Sequence, residues 1–433
     1  MADEWRQVTI ADIAEVYDGP HATPKKTASG PIFLGISNLS NGRLDLGESE
    51  HLSEEDYVKW TRRVAPRAGD VVFSYETRLG EAAIVPDALR CCLGRRMGLL
   101  RVKRERADPR FVLYTWLSPA FREVIRQRTV PGSTVDRIPI MGLPDFPVRI
   151  PPLDEQRSIA HILGTLDDKI ELNRRMSNTL EAMARALFKS WFVDFEPVRA
   201  KAEGRDPGLP REIADLLPAR LVDSKLGEIP EGWECQALPE AIDVNPARQL
   251  RKGQIAPYLD MANMPTAGHR ASSVVARPYG SGTRYSNGDT LLARITPCLE
   301  NGKTAFVDFL QDGETGWGST EYIVLRPRPP LPAEFGYYLA RDEGFRNHVI
   351  LNMTGTSGRQ RAPASALARY FIAAPPSGVG AAFGDLARSA MAKIRAYDEE
   401  MRTLASLRDA LLPKLISGEL RVADAAKSSA EVA

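Results

Sequence analysis

The longest regular pattern in the chain is a seven-residue recurrence. Ile159, Leu166, Asn173, Leu180 and Leu187 occupy one set of positions, and Leu163, Ile170, Ser177, Ala184 and Trp191 fall between them. The spacing returns near the C-terminus, with Ala390, Tyr397, Leu404 and Leu411 in the first set and Ile394, Met401, Arg408 and Leu415 in the second. A 3.5-residue period keeps one stripe of a helix turned toward a partner, so the pattern predicts two long helices packed against each other as a coiled coil. The expected seam holds Leu166, Ile170, Asn173, Leu180 and Leu187 from the first helix and Ile394, Tyr397, Met401, Leu404 and Leu411 from the second. Asp154 is placed to cap the first helix, with Glu155 and Gln156 in its first turn. A helix of about 40 residues is about 60 Å long, against a mean of about 11 to 12 residues in globular proteins. That length suits a spacer. Asn173 either fixes register and partner number or is a tolerated residue at the solvent edge.

Elsewhere the periods are shorter. Strand-like runs such as Val71-Val72-Phe73-Ser74, Met97 to Val102 and Tyr322-Ile323-Val324-Leu325 are punctuated by Gly, Pro, Asn and Asp. Short helical patterns sit at Pro109 to Leu117 and Ala333 to Ala340, so the expected class is mixed α/β. The pattern also occurs twice. Trp5 to Val16 is echoed by Trp233 to Val244, and Gly69-Asp70-Val71 by Gly288-Asp289-Thr290. Pro151-Pro152 recurs as Pro375-Pro376 and Lys169-Ile170 as Lys393-Ile394, both at an offset of 224 residues (375 − 151 and 393 − 169). A duplicated unit of roughly 200 residues is not a solenoid, whose periods are about 20 to 50 residues. It predicts two similar globular domains held apart by two similar helices.

Composition narrows the class. At 433 residues, 43% hydrophobic and 26% charged, the chain is ordinary for a soluble protein with two or three domains. No apolar run approaches the roughly 18 residues that span a bilayer, and the N-terminus lacks a basic region followed by an apolar core. A cytoplasmic location without membrane partners is expected. Adjacent Cys91-Cys92 and isolated Cys235 and Cys298 read as reduced thiols. The net charge of +1 conceals a segregation: residues 65–150 hold 15 Lys and Arg against 9 Asp and Glu, residues 246–370 hold 15 against 10, and residues 151–245 hold 12 against 18. Two basic lobes are a plausible footprint for phosphate, and equally a solvated Arg-rich surface.

No glycine-rich dinucleotide or phosphate-loop motif follows any strand. Asn245-Pro246-Ala247-Arg248 lacks the second proline and the aromatic that hold a target amino group in an adenine methyltransferase, and the five histidines show no metal-ligand spacing. No catalytic residue, metal or cofactor is assigned to this chain. DNA-contact candidates instead come from loops in equivalent places. Gly132, Ser133, Thr134 and Arg137 lie in the first lobe, and Gly355, Thr356, Ser357, Arg359 and Gln360 in the second. Thr77 and Arg78 of the first lobe correspond to Arg294 and Thr296 of the second, with Lys303 nearby. Gly, Ser and Thr let backbone amides and hydroxyls approach phosphate, and Arg and Gln pair bidentately with guanine and adenine edges.

These strings carry a resemblance. Pro151-Pro152-Leu153-Asp154-Glu155-Gln156-Arg157-Ser158-Ile159-Ala160 and Phe188-Lys189-Ser190-Trp191-Phe192-Val193-Asp194-Phe195-Glu196-Pro197 resemble the central conserved region of type I restriction-modification specificity subunits, the HsdS family. Ser224 to Trp233 resembles the family's entry into its second recognition domain, and Pro413 to Leu420 its closing helix. The resemblance implies two target recognition domains, at 1–150 and 229–374, and helical regions at 151–200 and 375–422 that pair antiparallel. A connector at 201–228 and a disordered tail at 423–433 complete the expected division. The family implies double-stranded DNA as ligand, read as two half-sites, with two DNA methyltransferase subunits and restriction/translocase subunits as partners. S-adenosylmethionine, ATP and Mg are then expected on those partners. At the second helix start, Pro375-Pro376-Ser377-Gly378-Val379-Gly380 departs from the acidic-Gln pattern of the first. Two rivals stand beside this reading: a coiled-coil scaffold that never touches DNA, and a self-sufficient restriction or methylating enzyme.

Overall fold

A computed structural model describes residues 5–20, 24–47, 49–132, 135–356, 358–420 and 422. The chain divides into two compact units, Met1–Glu171 with Met401–Ala433, and Leu172–Glu400. Each holds one lobe and a part of both long helices.

In the first unit, Ala14–Asp18, Met97–Val102, Val71–Ser74 and Ala82–Ile84 form, in that order, a four-stranded antiparallel sheet. Successive side chains of a strand point to opposite faces, and here both faces are covered. Val71, Phe73, Leu100 and Val102 pack with Val112, Leu113 and Trp116 of the helix Pro109–Leu117. Val72, Met97 and Leu99 pack with Leu34, Cys91 and Leu93. These last belong to a smaller sheet, in which Lys26–Leu34 pairs antiparallel with Glu50–Leu52 and parallel with Cys91–Leu93. Burial on both sides explains why the strands read as unbroken apolar runs. Asp108 starts the helix, its carboxylate accepting from the N–H groups of Arg110 and Phe111 at 2.9 and 3.1 Å.

The second unit repeats the plan. Ile242–Val244, Tyr322–Pro327, Thr290–Ala293 and Thr304–Phe306 stand in the same order with the same antiparallel pairing. The helices Ala333–Arg341 and Glu343–Leu351 begin 224 residues after Pro109–Leu117 and Pro119–Arg128 (333 − 109 and 343 − 119). The repeated Gly-Asp turn has one physical reason in both copies. Gly69 and Gly288 adopt φ of +86° and +85°, where a Cβ is strained. Asp70 and Asp289 are then buried and need partners. They accept from the N–H groups of Arg67 and Ser286 at 2.9 and 2.8 Å, and pair with Arg101 and Arg326 of the neighbouring strand at 2.8 and 3.0 Å.

Leu153–Phe192 and Ser377–Ser417 are single helices of 40 and 41 residues whose starts are again 224 apart (377 − 153). The departure at the second start changes the junction and not its position. In the first helix, buried Gln156 donates to the Pro151 carbonyl at 2.9 Å and accepts from the Asp108 N–H at 3.1 Å. In the second, Gly380 and Gly384 admit the Pro330 carbonyl and the Pro332 ring, which Cβ atoms would meet at 2.9 and 2.7 Å.

The helices pair antiparallel. In the first unit Ile159, Leu163, Leu166 and Ile170 cluster with Leu404, Leu411 and Leu415. In the second, Ala184, Phe188 and Trp191 cluster with Phe383, Ala387 and Met391, while Asn173 reaches Glu400. Along the first helix the buried stripe follows the heptad from Ile159 to Ser177; beyond it Ala184 and Trp191 keep their heptad places while the other row slips by one residue. Glu181 and Phe188 are buried, and Leu180 and Leu187 are half-buried beside them. On the second helix Met391, Ile394, Leu404 and Leu411 are buried, and Tyr397 and Met401 are half-buried. Asn173 is 1% exposed and its amide donates to Glu400 at 2.7 Å, so it is not a solvent-edge residue.

The stretch 201–228 is structured. It forms the short helix Arg211–Ala214 and most of the hairpin Leu221–Ser224 with Gly227–Pro230, and it buries Leu217 in the second unit's core. The expected tail at 423–433 lies outside the described residues.

Candidate nucleic-acid interface

In the two units the strands Val71–Ser74 and Thr290–Ala293 each run into a loop, and a second loop, after the helix pair, folds against it. In the first unit Glu76 and Val130 both bridge to Arg137, and the N–H of Ile138 donates to the Tyr75 carbonyl at 2.9 Å. In the second, Ile295 and Thr354 both bridge to Arg361, and the N–H of Ala362 donates to the Arg294 carbonyl at 2.8 Å. Val130 and Arg137 correspond to Thr354 and Arg361 at the same offset of 224 (354 − 130 and 361 − 137). The candidate loops, picked separately from the sequence, are therefore joined in pairs, one pair per unit.

The first pair presents Thr77, Arg78, Gly132 and Arg137, all exposed. Thr77 holds φ of +66°, an uncommon conformation for a β-branched residue. Arg78 donates to the Ile36 carbonyl at 3.4 Å and lies 3.9 Å from Glu81. Gly132 is required: a Cβ would meet the Val135 carbonyl oxygen at 2.0 Å. Between the loops is a cleft of about 310 Å³, lined by Leu79, Arg122, Ile125, Arg126, Pro131 and Asp136 among others. Ser133 and Thr134 lie outside the described residues.

The second pair presents Gly355, Thr356 and Arg359, also exposed. Gly355 has φ of +123° and faces the Arg359 carbonyl, which a Cβ would meet at 2.9 Å. Thr296 and Gln360 brace the pair. The Thr296 N–H donates to the Gln360 carbonyl at 3.1 Å, and the Thr296 hydroxyl oxygen accepts from the Gln360 N–H at 3.1 Å. Arg294 is half-buried, 3.8 Å from Glu321, which also takes Arg361 at 2.8 Å. Lys303 is half-buried and donates to the Met261 carbonyl at 2.7 Å, which ties it to the lobe's own backbone. Ser357 lies outside the described residues.

Sequence reasoning missed the acids that trim each pair's charge. Glu76 holds Arg96 at 2.8 Å in the first unit, and Glu321 holds Arg361 in the second. It also missed Arg122 and Arg126 in the cleft. The offset of 224 marks Val130–Arg137 and Thr354–Arg361 as equivalent loops, but the strand-end loops differ by 219 (295 − 76), and the pairing between loops leaves no linear signal.

Each lobe is fastened to a long helix by charge. Arg110 makes a bidentate pair with Asp168 at 2.8 and 3.2 Å, passing over Gly164, and Tyr114 donates to Asp167 at 2.7 Å. Burial, together with the charge of Asp167, pushes the Tyr114 phenol far up, so it stays a donor. In the second unit the Tyr337 hydroxyl donates to Glu181 at 2.6 Å, and Arg388 lies 3.2 Å from Glu334. Burial raises the Cys91 and Cys92 thiols to about 12, so neither is an activated thiolate. Among the described residues, no group of three or more His, Cys, Asp or Glu is placed to hold a metal, and no helix is long and apolar enough to cross a membrane.

Two copies of one sheet-and-helix lobe, each presenting a braced pair of loops and each followed by a helix of about 40 residues, define a tandem-duplicated protein. Residues 2–182 match the family described as the type I restriction modification DNA specificity domain. The type I restriction enzyme MjaIX specificity subunit of Methanocaldococcus jannaschii is 23% identical over 97% of this chain and 94% of its own length. The HindI specificity subunit of Haemophilus influenzae is 44% identical over 24% of this chain and 21% of its own length. The crystal structure of the type I restriction-modification system S subunit from M. genitalium superposes with a TM-score of 0.55 at 16% identity, covering 95% of this chain and 96% of that one. Residues 2–182 thus resemble a type I restriction modification DNA specificity domain, and over nearly its whole length the chain is similar to a type I specificity subunit.

Proposed function

We propose that this subunit binds double-stranded DNA as a two-part target, one half-site per lobe, with the braced loops at Thr77–Arg78 and Gly132–Arg137 reading one half and those at Arg294–Thr296 and Gly355–Gln360 reading the other. The observation that carries this reading is the recurrence of one loop pairing in both units, with exposed arginines at Arg78 and Arg137 in one and Arg359 in the other. Phosphate contacts position a protein on DNA and base edges specify the sequence. Backbone amides around Gly132 and Gly355 suit the first task, and Arg78 and Arg359 the second. Lys303 and Arg294 act from behind the loops.

The regions at 1–150 and 229–374 are the recognition domains on this reading, and the helices at 151–200 and 375–422 set the spacing of the half-sites. The helix pair also docks two methyltransferase subunits, to which restriction/translocase subunits add, in the cytoplasm. S-adenosylmethionine, ATP and Mg belong to those partners. In duplex binding against a library of split targets, Arg78→Ala is expected to relax discrimination in one half-site and Arg359→Ala in the other, each by about 1–3 kcal/mol. Unchanged affinity and selectivity in both variants would remove the loops from the interface. A scaffold that never touches DNA would leave the duplex unbound.

A further inference from the structure

We propose that the two halves of this chain carry a pairing code: residues 1–205 are built to engage residues 206–433 and not a second copy of themselves. The inference concerns assembly and holds whether or not the lobes read DNA. The halves are related by an offset of 224 residues through the helix pair. If the antiparallel pair were symmetric, a contact between i and j would have a mate between j − 224 and i + 224.

Three polar contacts have apolar or mismatched mates. Asp167 lies 2.8 Å from Arg408, and the mate positions are Ala184 and Met391 (408 − 224 and 167 + 224), both buried in an apolar cluster. Glu181 accepts from the Tyr337 hydroxyl at 2.6 Å, which Arg341 also reaches at 3.2 Å; the mate positions are Leu113 and Ala405 (337 − 224 and 181 + 224). Asn173 donates to Glu400 at 2.7 Å, and the mate positions are Met176 and Tyr397 (400 − 224 and 173 + 224).

The consequence is selective. In a pair of two first halves, Asp167 would meet Ala184 in place of Arg408 and keep the neutral Tyr114 hydroxyl as donor, and Glu181 would meet Leu113. Each loss would occur twice. In a pair of two second halves, Arg408 would meet Met391 and Glu400 would meet Tyr397. The Asp167 and Arg408 side chains are 14% and 20% exposed, and Glu181 is 9% exposed. Asp167 enclosed to that degree without Arg408 is strongly unfavourable in a pair of first halves, where Glu181, one of whose oxygens already lacks a partner, also loses its Tyr337 donor; in a pair of second halves Arg408 keeps only Asp409 of its own helix, so both homotypic pairs are disfavoured against the heterotypic one. Volume acts in the same direction. Trp191 would enter the slot of fully buried Leu415 (415 − 224), and overpacking a filled core is itself destabilising. The partner that fits the first half is therefore a chain bearing the second half's face, supplied in cis or as a separate polypeptide.

The test keeps the full chain until the last step. A protease site is placed in the exposed stretch 202–206, and the purified protein is cleaved there. Light and isotopically heavy preparations are then mixed, unfolded in urea, refolded and weighed by native mass spectrometry. Heterotypic pairs are expected to exceed homotypic ones by on the order of a hundredfold, with light and heavy halves freely mixed. Half heterotypic and a quarter of each homotypic pair, the statistical mixture, overturns the proposal. On the uncleaved chain, Arg408→Met is expected to lower Tm by leaving Asp167 without its partner, and Asp167→Ala with Arg408→Met, an apolar pair like that of the mate positions, to recover most of the loss. A double variant no more stable than the single one also overturns it, and this arm decides if the cleaved halves fail to refold.

Discussion

At the scale of single residues, what a glycine admits decides what it is for. Gly98 sits on a central strand, where a Cβ would lie 2.4 Å from the ring of Phe73, itself fully buried and 4.5 Å from the Trp116 ring. Nothing there can yield cheaply, so Gly98→Ala is expected to cost about 1–3 kcal/mol in urea unfolding. Gly164 offers the opposite case. Its Cβ would meet only the Arg110 guanidinium at 2.5 Å, the mobile end of a half-exposed side chain. Replacing a helical glycine by alanine favours the helix by about 1 kcal/mol, and losing an exposed ion pair costs about 0–1 kcal/mol. Gly164→Ala is therefore expected to leave stability within about 0.5 kcal/mol of the parent. A large loss at Gly164 would mean that the Arg110–Asp168 pair fastens the lobe more tightly than its exposure implies.

At the scale of elements, the long helices show where periodicity is a sound guide. From Ile159 to Ser177 the first helix buries the positions a heptad names. Beyond Ser177 its neighbours include the aromatic residues Phe335, Tyr338 and Phe383, and one row of the buried stripe moves to Glu181 and Phe188 while Ala184 and Trp191 stay in place. The Phe188 ring lies 5.0 Å from that of Phe335 and 5.7 Å from that of Phe383. Phe188→Ala is expected to destabilise by about 3–5 kcal/mol. Leu187→Ala is expected to cost about 1 kcal/mol, since much of that side chain already meets water. Equal losses at the two positions would restore the uninterrupted heptad. The loop pairs have a similar origin: Arg137 and Arg361 are each the meeting point of two loops far apart in sequence.

At the scale of the whole molecule, a net charge of +1 disguises two basic lobes around an acidic middle. Counterion release depends on local phosphate contacts and not on net charge. If about 6 to 10 phosphates are neutralised, duplex affinity is expected to fall by about 10³–10⁵ between 50 and 200 mM salt, read by fluorescence anisotropy. A flat salt dependence would place DNA elsewhere in the complex. The sequence by itself determined the duplication, the mixed α/β class, the two long helices and the resemblance to type I specificity subunits, because these rest on local periodicity, turn residues and offsets that survive as linear pattern. Only the tertiary structure decided that Glu181 and Phe188 replace Leu180 and Leu187 in the seam, that Lys303 is tied to Met261, and that Glu76 and Glu321 each hold an arginine beside the candidate loops. Those outcomes depend on which side chains from distant segments compete for the same buried space or the same counter-charge, and that competition has no period along the chain.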